Sequence, residues 1–140
     1  MPDKVIIYDA VEEWDKINES IYSAKNKLDS AKTTVDYQAI GVICREIIIL
    51  LAKEVYNKEI KISADGKMIG KNDAKRQLES YVDSLNDNFK SGNLVKFIKS
   101  TITYANELTH KDNAEEEHAK ICFYATSALV NIISSIERKY

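Results

Sequence analysis

The stretch Ile40-Gly41-Val42-Ile43-Cys44-Arg45-Glu46-Ile47-Ile48-Ile49-Leu50-Leu51 decides the fold. It is apolar on nearly every side of a helix, and such a helix belongs at the centre of a bundle or against another subunit. Its few charges, Arg45-Glu46 and Lys53-Glu54 just beyond, are expected on the exposed strip. Thr33 and Thr34 open this helix, which the pattern extends over roughly 35–56.

Outward from it, the apolar residues keep a helical period. Val11, Trp14, Ile17, Ile21, Ala24 and Leu28 recur at steps of three and four, predicting a helix over roughly 10–29. Asp9 with Glu12 has capping-box spacing, and Val5-Ile6-Ile7-Tyr8 ahead of it is either extended or packed. Residues 57–72 break the period: Ile60-Lys61-Ile62 alternates and Asp65-Gly66 signals a turn, so a small hairpin or an irregular loop is expected. Asn72 or Asp73 caps a third helix using Ala74, Leu78, Tyr81, Val82 and Leu85, which stops before Ser91-Gly92. Asn93 caps a fourth, with Leu94, Phe97, Ile98, Thr101, Ile102, Ala105 and Leu108 on one side. Asn113 and Glu116 form a capping box for the last, roughly 114–138, striped by Ile121, Cys122, Ala125, Leu129, Ile132, Ile133 and Ile136. One Pro and four Gly in 140 residues suit such a chain, because strands and turns consume both. The expectation is an all-α protein, one domain over residues 1–140, folded as an up-and-down bundle of four to five helices.

Charge and cysteine usage narrow the function. A formal net charge of −2 excludes a surface that binds polyanions everywhere and confines any nucleic-acid site to a patch. Cys44 and Cys122 lack CxxC spacing and lie in apolar runs, as small core residues of a cytoplasmic protein do. No signal-peptide pattern follows Met1, and no run of about 18 apolar residues suggests a membrane span. There is no Gly-rich phosphate loop, no HExxH and no serine elbow, and two histidines with two core cysteines make no zinc set. No metal and no cofactor are expected.

What remains is Ala105-Asn106-Glu107-Leu108-Thr109-His110. Asn106 and His110 stack at i and i+4, with Lys99 further back on the same side. From Lys90 to Lys111 the chain holds four lysines against one acid, Glu107. Such a histidine can move protons at neutral pH, the asparagine can hold its ring or a phosphate oxygen, and Lys99 and Lys111 can draw in an RNA backbone. The bland interpretation is a helix-C-terminal cation beside a polar surface residue. His118, one turn before Cys122, reads as a half-buried packing residue.

The run from Tyr104 to His110, followed by Lys111-Asp112-Asn113 and an acid-led helix, resembles the HEPN superfamily of small helical bundles. Its ribonuclease branch places Arg, then often Asn, three residues and His. Asn106 and His110 match, and the Arg position falls on Ala105. A related defence-associated branch reads Asn-Glu-Ala-Thr-His there. The resemblance spans roughly residues 35–138 and implies a metal-independent endoribonuclease of a toxin–antitoxin or antiviral, abortive-infection system. It implies a homodimer with facing motifs, His110 as acid/base, Asn106 as its polar partner, RNA as substrate, and an antitoxin or defence-complex partner. With Ala105 in place of the arginine, the chain as written is expected to be a catalytically impaired ribonuclease, and three explanations stand side by side. The chain is a non-catalytic member that binds RNA, nucleotide or a partner; or Lys99, Lys111 or Arg45 supplies the cation; or the position natively holds Arg. The alternative function is a binding module without chemistry, docking through Ile47–Leu51 and the last helix.

Overall fold

A computed structural model describes residues 12–139, as five α-helices with no strand among the described residues: α1 (Glu12–Ser30), α2 (Thr34–Val55), α3 (Ala74–Ser84), α4 (Gly92–Thr109) and α5 (Glu116–Lys139). The Val5–Tyr8 stretch and the Asp9 cap lie outside the described residues.

The central helix starts where its sequence supplies a reciprocal cap. Thr33 Oγ1 accepts the backbone N–H of Asp36 at 3.2 Å, while the Asp36 carboxylate accepts the N–H groups of Lys32 and Thr33 at 2.9 and 3.1 Å. Those two backbone donors hold the Asp36 carboxyl below its ordinary range. A carboxylate depressed in the folded state stabilises the fold above its unfolded pKa of about 4 and loses that contribution as pH falls through the folded value. Asp36→Asn is therefore expected to lower the melting temperature at pH 7, and to converge with the parent as the pH drops below about 4. A melting series against pH checks this; a difference constant with pH would place the effect elsewhere.

From that cap, α2 runs through the middle and packs on all four other helices. Ile40, Cys44, Ile47, Ile48, Leu51 and Ala52 are buried, whereas Val42, Arg45, Glu46 and Lys53 face out and Glu54 is half-buried. Within Ile47–Leu51, Ile47, Ile48 and Leu51 are bundle core, while Ile49 and Leu50 are half-buried at its edge. Consecutive helices pack on one another throughout, and α1 adds Trp14, Ile17, Ile21, Ala24 and Leu28 to the core.

α2 and α4 meet backbone to backbone. A Cβ at Gly41 would lie 2.8 Å from the Thr109 backbone nitrogen and 2.9 Å from the Ala105 carbonyl oxygen. Only glycine lets the two backbones meet there.

Several helix ends differ from expectation. α4 is capped by Ser91, whose hydroxyl accepts the N–H groups of Asn93 and Leu94 at 3.2 and 3.3 Å. Asn93 already lies in the first turn, so its own N–H is among the donors that need a cap. Of the two expected candidates for α3, Asp73 is the cap, accepting from Arg76 N at 3.2 Å. α5 begins at Glu116, and the expected Asn113–Glu116 box is replaced: the Glu115 N–H donates to His118 Nδ1 at 2.9 Å.

α5 is also rotated from its expected phase. Cys122, Phe123, Leu129, Val130, Ile133 and Ile136 are buried, but Ile121 is 53% and Ile132 39% exposed. Contrary to the sequence expectation, this helix is long and apolar enough to cross a membrane by composition. Half of its apolar window is buried inside the bundle, as in the core helix of a helical protein.

Residues 57–72 form a minimal hairpin. Ile62 and Met68 make one antiparallel bridge, Ile69 N donates to Lys61 O at 2.8 Å, and Gly66 turns the chain at φ 82°. Cys44 and Cys122 are free and buried. Contact with Cys44 and burial push the Cys122 thiol up, while the same contact draws the Cys44 thiol down.

Candidate functional site

α4 ends by tightening. The N–H groups of His110 and Lys111 donate three residues back, to the carbonyls of Glu107 and Leu108 at 3.1 and 3.2 Å. The link to α5 is then tied to the first turns of α2: Gln38 Nε2 donates to Lys111 O at 2.8 Å, and Thr34 Oγ1 to Ala114 O at 3.1 Å. These two bonds, with the Gly41 contact beside Thr109, fix where the 110–114 backbone turns.

The turn encloses a pocket of about 480 Å³. Tyr104, Asn106, His110, Lys111 and His118 line it together with Glu107 and Leu108. Both histidines of the chain therefore share one concavity with a cation and an amide.

Their rings are held differently. His118 Nδ1 is occupied as an acceptor of the Glu115 N–H, so the neutral ring carries its proton on Nε2. His110 is exposed, and its ring has no hydrogen-bond partner among the described residues. His118 is suited to donate from a fixed direction, and His110 to take and return a proton. The Tyr104 phenol is pushed up by burial, with Cys122 and Glu107 adding to the effect, so it stays protonated at neutral pH.

Two of the expected site residues lie elsewhere. Ala105 is fully buried against α2 and does not line the pocket. Lys99 sits about 10 Å back along α4 from Asn106. There its ammonium pairs with Glu79 of α3 at 3.5 Å. Of the other cations considered, Lys111 lines the pocket, and Arg45 lines an adjoining hollow of about 290 Å³ that Asn106 also borders.

His118 is half-buried as its sequence position suggests, but it also lines the pocket. The signal was available: a short link between consecutive packed helices sets the end of one opposite the start of the next, which brings residue 118 beside residue 110. Among the described residues, no three His, Cys, Asp or Glu side chains come together as a metal site requires.

The chain matches no family model, no curated protein and no solved structure. The case for function is therefore the pocket's own chemistry, with the sequence resemblance beside it.

Proposed function

We propose that the protein is a HEPN-like, metal-independent endoribonuclease of a cytoplasmic toxin–antitoxin or antiviral defence system, and that it works as a homodimer. The observation that carries this is the convergence of Asn106, His110, Lys111 and His118 on one pocket at the α4–α5 turn.

In this proposal His110 takes the proton of a ribose 2′-OH. The 2′-oxygen forms a bond to phosphorus and the bond to the 5′-oxygen breaks, leaving a 2′,3′-cyclic phosphate and a 5′-OH. The leaving oxygen receives its proton from His110 of the partner subunit. Lys111 and the His118 Nε2–H meet the charge that builds on the phosphoryl oxygens, the task Ala105 cannot perform. Asn106 orients the phosphate.

An exposed stripe on α5 supports the dimer. Ile121, Tyr124 and Ile132 lie on one helix face, and Ile121 is one turn from His118. A self-complementary contact through that stripe brings two pockets together.

The deciding assay incubates purified protein with a single-stranded RNA in excess chelator. Cleavage to 2′,3′-cyclic phosphate ends is expected, with none on an all-2′-deoxy strand. Cleavage that needs added metal, or that spares no deoxy strand, would reject the mechanism. The same stripe also supports a second reading, a binding module without chemistry. In that case Ile121→Glu abolishes partner binding while His110→Ala changes nothing.

A further inference from the structure

The hollow beside Asn106 does not end there. Arg45, Ile49 and Lys53 follow at steps of four along one face of α2, and Tyr56 caps its end three residues on. Arg45 and Ile49 line the hollow next to Asn106, while Lys53 and Tyr56 line another of about 400 Å³ further along. The start of α3 and the segment leading into it wall both, with Asn72, Asp73 (held by Arg76) and Lys75 on the first and Gly70 and Lys71 on the second.

The far hollow is strongly cationic. Lys53, Lys58, Lys61 and Lys71 surround it, no acid lines it, and none of the four has an ion-pair partner among the described residues. Of the acids nearby, Arg76 holds Asp65 at 3.0 Å and Asp73 at 3.2 Å, and the exposed Glu59 does not line the hollow. The lysines are held in place by the local backbone. Tyr56 donates its hydroxyl to Ile60 O, closing the turn that carries Lys58, and Gln77 Nε2 donates to the carbonyls of Gly70 and Lys71 at 3.1 and 3.0 Å.

Gln77 supplies an independent pointer. It is 3% exposed, it lines this hollow, and its Oε1 has no hydrogen-bond partner. A buried acceptor left unpaired is costly, and a donor on a bound ligand relieves that cost. Four cations ask for phosphates, and the lone acceptor asks for a hydroxyl or amino group. A ribonucleotide unit carries all of these.

We propose that this lysine hollow is a second RNA-binding site, and that a single strand leaving the His110 pocket runs along α2 past Arg45 into it. What lies at the His110 end rests on the ribonuclease proposal; the lysine site itself does not. Gly41 to Tyr56 is fifteen residues, about 22 Å along the helix. At 3.4 Å per stacked nucleotide that is roughly six nucleotides.

The test measures binding, so that it stands whether or not the chain cuts RNA. In a His110→Ala background, anisotropy of labelled 12- and 4-nucleotide RNAs is titrated at several salt concentrations, with and without Lys58→Gln/Lys61→Gln. Each lost phosphate contact removes about 0.7 from the salt slope on a single strand. The double variant is expected to flatten the 12-mer slope by about 1.4. It is also expected to weaken 12-mer binding roughly three- to thirtyfold at low salt, and the 4-mer far less. Lys58→Glu, an exposed single change that leaves the fold intact, should do the same in smaller measure. An unchanged 12-mer slope overturns the proposal. So does equal weakening of both lengths, or loss of ATP binding with RNA binding intact, which would make the hollow a nucleotide site.

Discussion

Ala105→Arg is expected to cost at least about 4 kcal/mol and to restore no ribonuclease activity. Residue 105 is fully buried, and its carbonyl oxygen lies where α4 meets Gly41 of α2. A guanidinium there overpacks the seam, at about 1–3 kcal/mol. It also buries a charge without a partner, at several kcal/mol more. Against a total stability of 5–15 kcal/mol that is a large fraction. Thermal melting should show a fall of more than about 10 °C, or no folded protein at all. A variant that melts normally and cleaves RNA would show that position 105 opens into the pocket, and would restore arginine as the native expectation there.

His110→Gln is the second large effect, and it should separate chemistry from folding. The ring is exposed and makes no hydrogen bond among the described residues, so its removal leaves the melting temperature within about 1 °C. Cleavage should fall by about 10²- to 10⁴-fold, the range of a lost general acid/base. His118→Gln offers the contrast. Glutamine can still accept the Glu115 N–H, so the helix start survives, and the lost Nε2 donor should lower kcat/KM by about 10²-fold. Equal, small losses in both variants would place the chemistry elsewhere.

The sequence made the centre of the bundle legible, because an all-round apolar run such as Ile40–Leu51 must be covered, and here the other four helices pack on it. α1 and α3 were readable for a related reason: Trp14 to Leu28 and Ala74 to Leu85 each keep one unbroken stripe, and every one of those residues named for the core is buried. α5 was not, since Ile121-Cys122-Phe123-Tyr124 is apolar through a full turn and leaves the phase open. Tertiary packing chose Cys122 and Phe123 for the core and turned Ile121 and Tyr124 outward. At α4, Ser91 and Asn93 are both good caps, and local preference could not rank them.

The site was legible along α4 but not across the turn. Asn106, His110 and Lys111 stand together as their spacing implies. Lys99 shares their strip, yet helical rise carries it two turns away, where Glu79 takes it. His118 joins them only because two hydrogen bonds to α2 fold the link back, and neither Gln38 nor Thr34 announces that in one dimension.

The glycine contact between α2 and α4 also governs how the pocket can move. At that seam the neighbouring side-chain atom is the Thr109 hydroxyl, itself tied to the Ala105 carbonyl at 2.9 Å, so there is no free rotamer whose change would let one helix slide past the other. Asn106 and His110 are thus mounted on a stiff pair of rods. The opposing wall is the first turn of α5, anchored through the Glu115–His118 bond and the Ala114 carbonyl. Opening and closing therefore belongs to that one turn, and exchange-protection measurements should find its amides the fastest around the pocket.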